Sequence, residues 1–82
     1  MNYRIDLNLN DEIAPMFVLS AYSRIREKYN ALGIGHERTG TSTMFTSSIN
    51  PKDLEKLMKE LKAERIEILS VQPTSRFQQR LN

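Results

Sequence analysis

The hydrophobic pattern of this chain changes its period from two residues to about 3.6 and back, and this change limits the folds that it can adopt. Residues 3–9 alternate apolar with polar side chains, which is typical of a strand with one face on a core and one in water. A helix is then expected to begin near Ala14 and to end at Gly33, a favoured helix stop. Its apolar side chains recur every three or four residues; they are Val18, Ala21, Tyr22, Ile25, Tyr29 and Leu32.

The second half of the chain repeats this order with a hairpin in front. Residues 34–49 hold two runs on either side of residues 39–41, and the second run is rich in β-branched and aromatic side chains, so we predict a hairpin with a short first strand. A second helix is predicted from Asn50 as its N-cap, with Pro51 and Asp53 in its first turn. Residues 66–71 read as a final strand. Their alternation slips at residues 68–69, so we expect a bulge there or a strand buried on both faces.

The predicted order β-α-β-β-α-β is that of the ferredoxin-like fold, an α+β arrangement in which two helices cover one face of a four-stranded antiparallel sheet. If residues 34–38 are not a strand, a three-stranded β-α-β-α-β sheet is the alternative. A chain of 82 residues supports one core. We therefore predict one α+β domain over residues 1–73 and a basic polar tail over residues 74–82, with homodimerisation as an expected source of extra stability.

Composition excludes several kinds of chemistry. The chain has no cysteine, which removes disulfides, thiolate metal sites and cysteine nucleophiles, and it has one histidine, so we expect no metal and no cofactor. The glycines of residues 33–35 lack the rest of a phosphate-binding loop. The first residues lack the apolar run of a secretory signal, and no stretch approaches the roughly 20 apolar residues of a membrane span. A cytoplasmic location, without membrane contact, is the expectation.

Charge is placed unevenly along the chain. Residues 1–69 hold ten Lys/Arg and ten Asp/Glu, so the net charge of +2 comes from the tail. There Arg76 and Arg80 flank Phe77 without an acid nearby, a composition suited to phosphate contact with base stacking, or equally to an acidic protein groove. We therefore predict a small non-enzymatic protein that binds nucleic acid, RNA favoured, or a protein partner, and modulates or inhibits it. The predicted contact residues are Arg24, Lys28, Lys59, Lys62, Arg76, Phe77 and Arg80.

Two alternatives from other classes stay open. Residues 50–57 followed by residues 66–71 resemble the closing half of ACT regulatory domains, which implies a small-molecule sensor with its ligand at a dimer seam near residues 10–15. The glycine-containing turn that binds amino acids in that family is missing at residues 11–15. The second alternative is a small hydrolase or ribonuclease centred on His36, with Arg38 or a hydroxyl group of residues 41–48 as the second polarising group.

Overall fold

The computed structural model describes residues 1–10 and 12–74. The elements, in chain order, are strand β1 (Tyr3–Asn8), helix α1 (Met16–Lys28), strands β2 (Leu32–His36) and β3 (Thr41–Thr46), helix α2 (Pro51–Ala63) and strand β4 (Glu67–Pro73). The predicted β-α-β-β-α-β order is confirmed. The three-stranded alternative is wrong because β2 pairs with β3 along its whole length. Neither helix in this part of the chain is long and apolar enough to cross a lipid bilayer.

All four strands are antiparallel and lie in the order β2-β3-β1-β4, which gives the ferredoxin-like α+β fold. The core lies between the sheet and the two helices, because Ile5 and Leu7 of β1 are fully buried together with Leu57 and Leu61 of α2. Successive side chains of a strand point to opposite faces. The polar residues of β1 therefore lie on the face that the helices leave open.

The start of α2 follows the local signals in the sequence. The side chain of Asn50 accepts a hydrogen bond of 2.8 Å from the backbone N–H of Asp53, and Pro51 occupies the first helical position. The predicted N-cap is therefore confirmed. The helix ends at Ala63, and Arg65 adopts a positive φ of 63° in the turn that leads to β4.

Helix α1 is shorter at both ends than the sequence predicts. It begins at Met16, because Pro15 keeps an extended backbone and serves as the N-cap residue. It ends at Lys28, and the chain reverses through Asn30, whose φ is 53°. Leu32 and Gly33 consequently belong to β2, so the prediction that Gly33 ends the helix is wrong.

Gly33 has a packing role instead. A Cβ atom at this position would lie 2.9 Å from both Tyr22 Oη and Arg26 Cδ, two side chains of α1 that pass across β2. Such distances are too short for nonbonded atoms, so any larger residue must push these side chains away. The glycine therefore leaves room for these two side chains over the edge strand.

We expect Gly33→Ala to lower the free energy of unfolding by about 1–3 kcal/mol through this overpacking. Urea unfolding curves measure the change. The double variant Gly33→Ala with Arg26→Ala is the matched control, because shortening Arg26 removes one of the two short contacts and leaves only the contact with Tyr22. Strictly additive effects of the two substitutions would contradict the proposed contact.

Candidate functional site

The open face of the sheet carries both polar and apolar side chains. Alternation and strand register place Arg4 and Asp6 of β1 on this face, beside Phe45 and Thr43 of β3 respectively. His36 at the end of β2 lies next to Thr41 on the same face. The open face therefore combines cationic, acidic, hydroxyl and imidazole groups on neighbouring strands.

These side chains surround an open cleft of about 740 Å³. This volume falls within the range of small-molecule and cofactor sites, roughly 300–1,000 Å³. The cleft extends from the middle of β1 to the turn between β2 and β3 and on to β4. Its lining residues are Arg4, Asp6, His36, Glu37, Arg38, Thr39, Thr41, Leu69 and Ser70.

A bulge in β4 shapes one wall of this cleft. Asp6 pairs with Ser70 and Leu7 pairs with Ile68, so Leu69 is an extra residue between the two pairs. The bulge is one of the two outcomes expected from the slip in alternation, and the strand is not buried on both faces, because Leu69 is 51% exposed. Adjacent residues of a regular strand face opposite sides, yet Leu69 and Ser70 both line the cleft. The bulge therefore adds an apolar group next to a hydroxyl group.

Asp6 lies at the centre of a hydrogen-bond network. Its Oδ1 accepts hydrogen bonds from Thr43 Oγ1 at 2.7 Å and from Arg4 Nε at 3.1 Å, and its Oδ2 accepts one from Ser70 Oγ at 2.8 Å. The network continues from Thr43 to His36, whose Nε2 is 2.7 Å from Thr43 Oγ1. Four strands thus contribute to one connected chain of polar groups.

The network also sets the charge of Asp6. Burial alone raises the pKa of this carboxyl group, but hydrogen bonds from Thr43, Ser70 and Arg4, with the positive charge of Arg4, outweigh it and lower the pKa below 3.8. Asp6 is therefore ionised at neutral pH. It neutralises Arg4 and acts as an internal acceptor for the open face.

The predicted contact residues on the helices lie on the other layer of the molecule. Lys28 of α1 donates hydrogen bonds to both carboxylate oxygens of Glu60, at 3.2 and 3.1 Å, so an ion pair between the helices engages its charge. Lys59 lies 4.0 Å from Glu55 in an exposed pair. Arg24 and Lys62 are exposed and form no ion pair with a described residue. None of these four side chains lines the cleft of the open face.

Tyr29 strengthens the contact between the helices. Its hydroxyl group donates a short hydrogen bond to Glu60 Oε2. Burial, and then this bond and the negative charge of Glu60, raise the pKa of Tyr29 to about 12, while the same hydrogen bond is the main cause that lowers the pKa of Glu60. Lys28 therefore has a structural explanation that does not require a partner.

The remaining sequence predictions fall in three places. Arg76, Phe77 and Arg80 lie outside the described residues, so their contact role stays a prediction. In the segment expected near an ACT-type ligand, the Asn10 side chain accepts a hydrogen bond from the backbone N–H of Glu12 at 3.0 Å. His36 and Arg38 both line the cleft, as the alternative hydrolase requires. No group of three metal-ligating side chains occurs among the described residues.

Sequence reasoning missed Arg4, Asp6, Leu69 and Ser70. The first two were visible as the polar positions of an alternating strand, but the pattern alone does not distinguish a solvated face from a site. Their importance comes from long-range pairing, because Thr43 and Ser70 are 37 and 64 residues from Asp6 in sequence.

Comparison of the chain with protein-family models, with curated proteins and with solved structures finds no match.

Proposed function

We propose that this chain is a small non-enzymatic protein that binds single-stranded nucleic acid, RNA favoured, on the open face of its sheet and thereby modulates or inhibits its target. The observation that carries the proposal is the open cleft of about 740 Å³, in which Arg4, Arg38 and His36 converge with hydroxyl groups and Leu69. Single-stranded nucleic acid offers phosphates for the donors and exposed bases for apolar and ring contacts.

The lining supplies both hydrogen-bond donors and acceptors. Arg38 is exposed and makes no ion pair with a described residue. Ser70 donates its one proton to Asp6, and the hydroxyl oxygens of Thr39 and Thr41 share a hydrogen bond of 2.6 Å, so these hydroxyl groups offer mainly acceptor oxygens. Arginine and hydroxyl side chains are frequent partners of phosphate and sugar oxygens. The hydroxyl groups also suit the ribose 2′-hydroxyl, which both donates and accepts, and this favours RNA over DNA.

The charge of the cleft is nearly balanced. Arg4 and Arg38 are matched by Asp6 and Glu37, and Asp6 uses both carboxylate oxygens inside the network. Binding in the cleft therefore depends on short-range hydrogen bonds and stacking more than on long-range attraction. We assign the salt-dependent attraction to cations outside the cleft. These include Arg76 and Arg80 of the tail, which keep the role predicted from sequence.

Fluorescence anisotropy with a labelled RNA of about eight nucleotides tests the proposal. We expect Arg38→Gln to weaken binding about tenfold, because it replaces the charged guanidinium group and its five N–H donors with a neutral amide that has two. Lys62→Gln is the matched control, since it removes one exposed charge from the helical layer, and should change the affinity less than about twofold.

Arg76→Ala with Arg80→Ala is expected to weaken binding and to flatten its salt dependence.

Two outcomes would overturn the placement or the function. Equal losses for Arg38→Gln and Lys62→Gln would mean that the contact depends on total charge, and the helical layer would then share the site. If neither RNA nor single-stranded DNA binds at low salt, the nucleic-acid proposal fails and a protein partner becomes the leading candidate.

A homodimer remains part of the proposal. Strands β2 and β4 form the two edges of the sheet, and edge backbone groups can pair with a second chain. Light scattering on the sample used for the RNA titration gives the mass of the free protein and of the complex. A dimer in both states supports this part of the proposal, and a monomer in both removes it.

A small ribonuclease is the second candidate function, and the hydrogen bond between His36 and Thr43 favours it. In this reaction His36 takes the proton of a ribose 2′-hydroxyl, the oxygen attacks the adjacent phosphorus, and the leaving 5′-oxygen takes a proton from water. The product is a 2′,3′-cyclic phosphate. Gel analysis of incubated RNA detects cleavage, and His36→Ala should abolish it.

A further inference from the structure

His36, Thr43 and Asp6 form a hydrogen-bond chain whose direction the chemistry determines. Thr43 Oγ1 lies 2.7 Å from Asp6 Oδ1 and 2.7 Å from His36 Nε2. A threonine hydroxyl group has one proton to donate, and an ionised carboxylate can only accept. Thr43 therefore donates its proton to Asp6.

This assignment leaves one role for the histidine. Since the Thr43 proton points to Asp6, Thr43 Oγ1 must accept from His36, so Nε2 carries a proton. In a neutral imidazole with Nε2 protonated, Nδ1 is an acceptor. No residue among 1–10 and 12–74 forms a hydrogen bond with Nδ1, and His36 lines the cleft.

We infer that His36 Nδ1 is a specificity-determining acceptor that selects ligands with an N–H donor, such as the amino group of cytosine, over ligands that present a carbonyl oxygen there, such as uracil. The inference rests on the proposed RNA binding. Cytosine and uracil have nearly the same shape but present an amino donor and a carbonyl acceptor respectively at one ring position. A carbonyl oxygen facing Nδ1 would place two acceptors against each other and leave both without a proton.

The hydrogen bonds of Thr43 and Asp6 fix the tautomer of His36, and this makes the preference stable. A free imidazole can exchange its tautomer and so accept or donate at Nδ1. Here the exchange would remove the donor from Thr43 Oγ1, and because Thr43 is 1% exposed, water has little access to replace that donor. Asp6 and Thr43 therefore act as positioning residues, and His36 is the residue that would touch the ligand.

The tautomer can be measured without any ligand. His36 is the only histidine, so a long-range ¹H–¹⁵N spectrum shows one imidazole ring. We expect Nε2 to carry the proton and Nδ1 to be bare when the ring is neutral. Thr43→Val, which keeps the shape and removes the hydroxyl group, should give a tautomer mixture, and Thr43→Ser should restore the wild-type spectrum. A wild-type ring protonated on Nδ1 overturns the inference.

The selectivity test uses labelled oligocytidylate and oligouridylate of the same length, about eight nucleotides. We expect wild type to bind oligocytidylate about tenfold more tightly. Thr43→Ser should keep this ratio, whereas Thr43→Val and His36→Ala should bring it to within about twofold. His36→Ala changes a partly exposed edge residue, so it provides a second reading if Thr43→Val does not fold.

The outcomes separate this inference from the proposed function. Equal binding of both oligonucleotides by wild type overturns the inference and leaves RNA binding intact. An unchanged preference in the folded His36→Ala variant also overturns it, because another group must then read the base. Binding of neither oligonucleotide overturns both.

Discussion

Truncation of Leu61 to alanine is expected to lower the free energy of unfolding by about 2–5 kcal/mol. Leu61 is 0% exposed on α2 and packs in the core cluster with Ile5 and Leu7 of β1. The loss combines the lost burial of its methyl groups with the cavity that a close-packed interior cannot fill. A domain of this size has only about 4–12 kcal/mol of stability, so the variant should lose a large part of it.

Urea unfolding and thermal melts measure this effect, and the melting temperature should fall by at least about 8 °C. Leu69→Ala is the matched control, because it removes the same atoms from a side chain that is 51% exposed in the β4 bulge. Its cost should stay within about 0.5–1 kcal/mol. Similar losses at the two positions would mean that α2 does not cover the sheet as described.

The parts of the fold that depend on local chemistry could be predicted from the sequence. The start of α2 needs only an N-cap side chain and a proline at the first helical position, and these two residues are consecutive in the sequence. The bulge at Leu69 was visible because it interrupts a period of two residues within its own strand. In both cases the residues that determine the geometry are sequence neighbours.

Gly33 shows where this reasoning fails. Glycine favours helix ends because it tolerates a positive φ, but in this chain Asn30 takes that conformation. Gly33 is needed because the side chains of Tyr22 and Arg26, on the helix, lie across β2 at this position. A contact between two elements has no signature in the pattern of either one.

The candidate site was predictable only in part, for the same reason. His36 stood out as the only histidine, and the expected hydroxyl partner in residues 41–48 is Thr43, seven residues away across the hairpin. Asp6 looked like an ordinary solvated position. Its function depends on β1 lying between β3 and β4, which brings donors from both neighbours to one carboxylate.

Removal of the Asp6 carboxylate is the second large effect that we expect. At neutral pH, Asp6→Ala should cost about 1–3 kcal/mol, chiefly because Thr43 is 1% exposed and its hydroxyl proton loses its acceptor. Asp6→Asn should cost less, since the amide oxygen can still accept from Thr43. Ser70→Ala, which removes one donor from Oδ2, should have the smallest effect of the three.

The pH dependence identifies the carboxylate as the cause. The folded-state pKa of Asp6 is lowered below 3.8, so its contribution to stability is complete above that pH and is lost as the pH falls from 3.8 through the folded-state pKa. Asparagine does not titrate, so the difference in unfolding free energy between wild type and Asp6→Asn should shrink in that range. Urea unfolding of both proteins at neutral pH and below pH 3.8 measures it. A difference that stays constant would mean that the three donors do not hold an ionised carboxylate, and the direction assigned to the Thr43 proton would lose its basis.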